Sequence, residues 1–180
     1  MNFAWARPVL AAVSAAALLA TAACNPQPAV SGADLAKNAE AAAAFMKTNA
    51  SAEGVQTLPS GLQYKVVASG PAGGVRPDRN DLARVDYEGS LTDGTVFDSS
   101  FKRGSPAVFS PEQVVPGWTE ALQLMRPGDE WLLNVPPELG YGEAGGPPAI
   151  PGNAVLVFRL KLLDVAPVPG GGRGVGSADV

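Results

Sequence analysis

Residues 85–100 read VDYEGSLTDGTVFDSS. Two short runs with β-branched and aromatic residues flank SLTDGT, and Asp93-Gly94 is the strongest short-range signal for a hairpin turn. Side chains alternate along a strand, so Val85, Tyr87 and Gly89 share one face while Asp86 and Glu88 take the other. Tyr87 is therefore expected to point inward. The second strand ends on Phe97 and Asp98.

Working outward, residues 116–129 read PGWTEALQLMRPGD. Trp118, Ala121, Leu122 and Met125 recur at i, i+3, i+4 and i+7, one apolar stripe on a helix of about two turns. Pro116 suits its first turn, and Pro127-Gly128 stops it. Next, EWLLNVP alternates Trp131, Leu133 and Val135 inward. The last strand, AVLVFRLKLLDV, sets Leu156, Phe158, Leu160 and Leu162 against Val155, Val157, Arg159 and Lys161, so one face is core and the other turns partly to water. Upstream, TLPSGLQYKVVASG predicts a turn at Pro59-Ser60-Gly61 and a strand with Leu62, Tyr64 and Val66 on one face. PAGGVRPDRND, residues 71–81, is a loop by its Gly, Pro and Asp content. Several short strands with hairpin chemistry and one short central helix predict an α+β domain, an antiparallel sheet with the helix packed on it.

The chain has 180 residues, with 13 Lys and Arg against 17 Asp and Glu and a net charge of −4. That length suits one globular core with a short helical arm. No basic run makes an electrostatic footprint for nucleic acid, so that partner is not expected. The segment MNFAWARPVLAAVSAAALLATAAC has one positive charge at Arg7 and then an Ala-rich apolar run, short for a bilayer span, which reads as a secretory signal over residues 1–23.

TAAC resembles the bacterial lipoprotein signal box, in which small residues precede a Cys that becomes lipidated. Thr21 stands where Leu is usual. Cys24 is the only cysteine, so it has no internal disulfide partner. The alternative is cleavage after Ala20-Thr21-Ala22 with Cys24 left as a free thiol. Lipidation would anchor the chain at the cell envelope facing the periplasm, and Asn25 resembles the pattern sorted to an outer membrane. Residues 24–32 are then lipid anchor and linker, and residues 33–57 a helical arm whose helix runs from about Ala33 to Thr48. Ser31 with Asp34 supplies its capping signal. Its stripe of Leu35, Ala39, Ala42, Phe45 and Met46 lies on an alanine-rich helix and buries little. It reads as a spacer helix or a small dimerisation arm, leaving a monomer or a weak homodimer. Residues 58–166 form the main domain and 167–180 a Gly-rich tail without assigned structure.

The sequence has no His, which removes the commonest general base and metal ligand, and no Gly-x-Ser-x-Gly elbow, Walker loop or dinucleotide fingerprint. Neither a metal nor a cofactor is expected. Aromatic and apolar groups with isolated carboxylates suit a reaction that needs desolvation and shape. Rotation about an X-Pro bond is one. Its barrier of about 18–20 kcal/mol comes from the partial double bond, and a dry cleft disfavours the charge-separated planar form.

VDYEGSLTDGTVFDSS, VVPGWTEALQLMRPGDEWLLNVPPELGYGEAG and IPGNAVLVFRLKLLDV closely resemble the FKBP-type peptidyl-prolyl cis-trans isomerases, over about Leu58 to Val165. AEGVQTLPSGLQYKV resembles the join between arm and catalytic domain in the bacterial exported subgroup, which includes the macrophage infectivity potentiator proteins. The resemblance implies a five-stranded antiparallel sheet wrapped around one short helix with a prolyl pocket between them. It places that pocket on Tyr87, Phe97, Asp98, Phe109, Val114, Val115, Trp118, Tyr141, Ile150 and Phe158. It implies that the Val115 N–H and the Tyr141 hydroxyl bond substrate carbonyls, while Asp98, hydrogen-bonded near Tyr87, polarises the site. Taken singly, Trp118 and Phe158 read as core packing, Asp98 as a turn cap and Tyr141 as a loop aromatic; only their joint order carries the pocket.

The implied function is a folding helper acting on unfolded or partly folded exported polypeptides that contain proline. A non-catalytic proline-binding chaperone, an envelope-assembly lipoprotein and a purely structural lipoprotein are the alternatives. A macrolide such as rapamycin is a further candidate ligand. Gly146, Ala149, Gly152 and Ala107 depart from common family residues, and those departures bear on macrolide affinity and sequence preference.

Overall fold

The computed structural model describes residues 31–170. The expected signal over residues 1–23, Cys24 with most of the linker, and the tail from residue 171 lie outside the described residues.

Helix α1 spans Gly32–Asn49. The Ser31 hydroxyl oxygen accepts from the Asp34 N–H at 3.1 Å and donates to the Asp34 carboxylate at 2.7 Å, the reciprocal cap the sequence announced. Only Ala42 of this helix is buried, as its alanine content implies. Two amides fix its last turn to the domain: Gln63 Nε2 donates to the Met46 carbonyl and Asn49 Nδ2 to Gln63 Oε1, both at 2.7 Å.

The strands are β1 (Val55–Thr57), β2 (Gln63–Ala68), β3 (Leu82–Leu91), β4 (Val96–Ser99), β5 (Ala107–Phe109), β6 (Glu130–Val135) and β7 (Leu156–Ala166). They form one antiparallel sheet in the order β1-β2-β6-β7-β3-β4, with β5 also on β3. The sheet therefore has seven strands where five were expected, because the three-residue β1 and β5 add short pairings to β2 and β3. A one-turn helix α2 (Ser100–Arg103) follows β4, and α3 (Pro116–Leu124) packs on the sheet.

The hairpin turns where Asp93-Gly94 was read, with Gly94 at φ +86°. Side-chain alternation holds along β3, where Val85, Tyr87 and Gly89 face inward, and along β7, where Leu156, Phe158, Leu160 and Leu162 do. β2 differs. Leu62 is buried and Tyr64 stacks on Trp131 with ring centroids 4.3 Å apart, but Val66 is 38% exposed and Gln63 is buried. Helix α1 covers the opposite face at Gln63, whereas β2 is exposed from Lys65 to Ala68; Val66 still pairs in register with Trp131, and the β2-β6 register slips only beyond it, between Val66 and Ala68.

The core lies between α3 and the sheet. Trp118, Ala121, Leu122 and Met125 join Leu133, Val135, Leu156, Phe158, Leu160 and Leu162 in one cluster. Each fully buried leucine contributes roughly 1.5–3 kcal/mol over an exposed one. A Cβ on Gly117 would lie 2.7 Å from Val135 Cγ1, so glycine there allows α3 to approach β6. Among the described residues no helix is long and apolar enough to cross a membrane.

Candidate functional site

One cleft of about 470 Å³ opens where α3 leaves the sheet, lined by Tyr87, Phe97, Asp98, Phe109, Gln113, Val114, Val115, Trp118, Tyr141 and Phe158. Several strands, helix α3 and the segments between them contribute. Tyr87 comes from β3, Phe97 and Asp98 from β4, Phe109 from β5, and Trp118 from α3. Phe158 comes from β7 and Tyr141 from the β6-β7 loop.

The aromatic walls lock one another, four pairs edge to face and Tyr87–Phe109 tilted. Trp118 meets Tyr87 and Phe158 with centroids 5.1 Å away in each case, and Phe109 at 5.8 Å. Phe97 meets Phe158 at 5.7 Å, and Tyr87 meets Phe109 at 6.0 Å. Such pairs add about 0.5–1.5 kcal/mol each beyond their burial and hold the rings in fixed orientation. Trp118 is 4% exposed, and its Nε1 has no hydrogen-bond partner among the described residues.

One wall is polar. The Tyr87 hydroxyl donates to the Asp98 carboxylate, Arg103 Nη1 pairs with the same carboxylate, and Arg103 Nη2 donates to the Tyr87 oxygen at 2.9 Å. The Arg103 guanidinium also lies over the Tyr87 ring, 5.4 Å from its centroid. Burial would raise the Asp98 carboxyl, but the bonds from Tyr87 and Arg103 outweigh it and hold the group below its usual range. Burial, with the bond to Asp98, pushes the Tyr87 phenol up. At neutral pH the wall is a carboxylate, a neutral phenol and a guanidinium.

The two serines after Asp98 free it for this role. Ser99 Oγ caps α2 by accepting from the Lys102 N–H at 3.3 Å. Buried Ser100 accepts from the Tyr87 N–H at 2.9 Å and donates to Asp86 at 3.0 Å, which pins β4 against β3. α2 then delivers Arg103 in its last turn. The sequence reading missed Arg103; its only signal was a cation five residues beyond an acidic strand end.

At the cleft mouth Val115 is the N-terminal boundary of α3, and Pro116 occupies the first helical turn. Among the described residues the Val115 N–H makes no hydrogen bond. Thr119 Oγ1 ties the entry turn down by donating to the Pro111 carbonyl at 2.6 Å. Tyr141 sits at the rim and is 46% exposed.

Nine of the ten pocket residues named from the sequence thus line one cleft. Ile150 is not among the lining: it is buried in the core cluster, and its main chain pairs in both directions with Gly146 at 2.9 Å. Gln113, which the sequence did not single out, lines the cleft. Among the described residues no group of three His, Cys, Asp or Glu side chains could hold a metal ion.

The family model described as FKBP-type peptidyl-prolyl cis-trans isomerase matches residues 73–163. The model for the domain amino-terminal to such isomerases matches residues 11–66. The chain is 50% identical over 128 residues to the peptidyl-prolyl cis-trans isomerase Mip of Coxiella burnetii, covering 71% of this chain and 55% of that protein. It is 49% identical over 124 residues to the outer membrane protein MIP of Legionella longbeachae, covering 68% and 52%. Among solved structures, FkpA from Escherichia coli superposes with a TM-score of 0.71 at 43% identity, over 76% of this chain and 63% of that one. The chain spans about half the length of these curated relatives.

Proposed function

The chain belongs to the FKBP-type peptidyl-prolyl cis-trans isomerases, and from that premise we propose that it rotates X-Pro bonds in exported, partly folded polypeptides. The observation that carries the reading is the aromatic cleft with a polar wall on one side and the Val115 N–H and Tyr141 hydroxyl at its mouth.

Planarity of the amide rests on charge separation between nitrogen and oxygen, which water stabilises. Inside the cleft, the rings of Phe97, Phe109, Trp118 and Phe158 replace that water around the proline. The planar form loses more than the twisted one, and each 1.4 kcal/mol of difference is about tenfold in rate. The Val115 N–H and the Tyr141 hydroxyl take substrate carbonyls on either side of the rotating bond. Asp98, fixed by Tyr87 and Arg103, supplies a preorganised charge whose orientation does not change as the bond turns. No proton moves and no covalent bond forms.

In this reading the chain is exported and anchored to the envelope through lipidated Cys24, as a folding helper. The lone cysteine after an apolar segment supports the anchor, and a 49% identical relative bears the name of an outer membrane protein. The test is refolding of a denatured protein whose slow phase is set by an X-Pro bond. That phase should accelerate in proportion to added chain, and less with a folded Tyr141→Phe variant. Binding of the unfolded protein without acceleration would make the chain a holdase instead.

A further inference from the structure

Helix α1 touches the loop that carries Tyr141, and it does so through a reciprocal pair of amides. Asn38 Nδ2 donates to the Gly152 carbonyl at 2.9 Å, and Asn153 Nδ2 donates to the Leu35 carbonyl at 3.0 Å. The partners are more than a hundred residues apart in sequence. Gly152 lies between them with no room for a side chain: a Cβ there would sit 2.2 Å from the Glu143 carbonyl oxygen and 2.5 Å from Leu35 Cδ2. The glycine that departs from the common family residue is thus where α1 seats.

The same loop segment reaches Tyr141 through the main chain. The Asn153 N–H donates to the Gly142 carbonyl at 2.8 Å, and the Gly145 N–H to the Tyr141 carbonyl at 3.1 Å. Among the described residues Asn153 is the only non-glycine residue with positive φ, at 58°. Asn adopts this left-handed region more readily than most non-glycine residues. Here its main chain grips the residue after Tyr141 while its side chain grips α1.

Resting on the isomerase reading, we propose that α1 is a positioning element of the catalytic cleft. Its Asn38 and Leu35, acting through Gly152 and Asn153, set where Tyr141 stands at the cleft mouth. This gives the alanine-rich helix a reason to be docked despite its small buried face. Its far end is already fixed by Gln63, so the contacts at Leu35 and Asn38 complete a strut across the loop.

The test uses the full chain and two readouts. Asn38→Ala removes one clamp donor and keeps helix propensity high; Asn153→Gly removes the other and keeps the left-handed backbone available. Each variant should lower the catalysed exchange of an X-Pro peptide about three- to tenfold. In a Tyr141→Phe background the further loss should shrink below twofold, because the clamp acts through Tyr141, whereas a general structural loss would persist in full. Amide hydrogen exchange at residues 142–153 should also speed up in both variants. An undiminished effect in the Tyr141→Phe background, or unchanged activity, overturns the proposal. If the parent chain accelerates no peptide, the isomerase reading fails, and hydrogen exchange judges the clamp alone: unchanged protection of residues 142–153 overturns it.

Discussion

Replacing Gly89 with alanine separates packing in the cleft walls from ordinary strand preference. Gly89 faces inward on β3, and a Cβ built there falls 2.7 Å from Phe158 Cε1 and from Cε2 and Cζ of Phe97. Carbon atoms in favourable contact sit about 3.5–4.0 Å apart, so the two rings must retreat by about 1 Å. Phe158 is not free to do so. Phe158 is 5% exposed and meets Trp118 and Phe97 edge to face. Overpacking of this kind costs about 1–3 kcal/mol. On strand preference alone the same change would stabilise by roughly 0.5–1 kcal/mol. The sign of the effect therefore decides.

Urea unfolding of Gly89→Ala should show a midpoint lowered by that net cost with an unchanged m-value. Because both rings line the cleft, peptide exchange catalysed by the folded variant should drop about tenfold, or about 1.4 kcal/mol. A variant as stable as the parent, or more so, with full activity would refute the claim that the walls are held by contact with the β3 backbone.

Three further outcomes follow from the polar wall and from Cys24. Tyr87→Phe removes one donor to Asp98 and leaves Arg103 as its partner; activity should fall about tenfold while substrate binding changes less than threefold, read as a kcat against KM split. The Asp98 carboxyl is held below its usual range, so its contribution to stability and to the polar wall is present above the unfolded value near 3.9 and is lost as pH falls through the lower folded value. Tyr87 is pushed up, away from neutrality. The rate profile should consequently be flat from about pH 5 to about pH 9, and an inflection near 6.5 would contradict it. In growing bacteria, labelled palmitate should enter the chain and be lost in Cys24→Ser; an unlabelled parent chain would leave Cys24 a free thiol.

The parts of the fold legible in the sequence were those set by local periodicity. Trp118, Ala121, Leu122 and Met125 make their stripe within one helix, and Asp93-Gly94 makes its turn within one hairpin. Val66 was misplaced because β2 is exposed from Lys65 onward, and the burial of Gln63 depends on α1; periodicity encodes neither. The cleft was legible only as an ordered set of motif residues. Arg103 escaped because its pairing needs a one-turn helix capped by Ser99, and Ile150 turned to the core because its main chain closes a bridge with Gly146. The seat of α1 on Gly152 joins residues at opposite ends of the domain sequence, and composition showed only a helix that buries little.

The central claim is rotation without proton transfer in the aromatic cleft, and NMR exchange of a short apolar-X-Pro peptide measures it directly. With the parent chain the cis and trans resonances should exchange much faster than the uncatalysed tens to hundreds of seconds. With Asp98→Val, folded but lacking the charge that Tyr87 and Arg103 hold, the acceleration should drop at least tenfold while the peptide still binds. No acceleration by the folded parent chain, or full acceleration by the variant, would contradict the account.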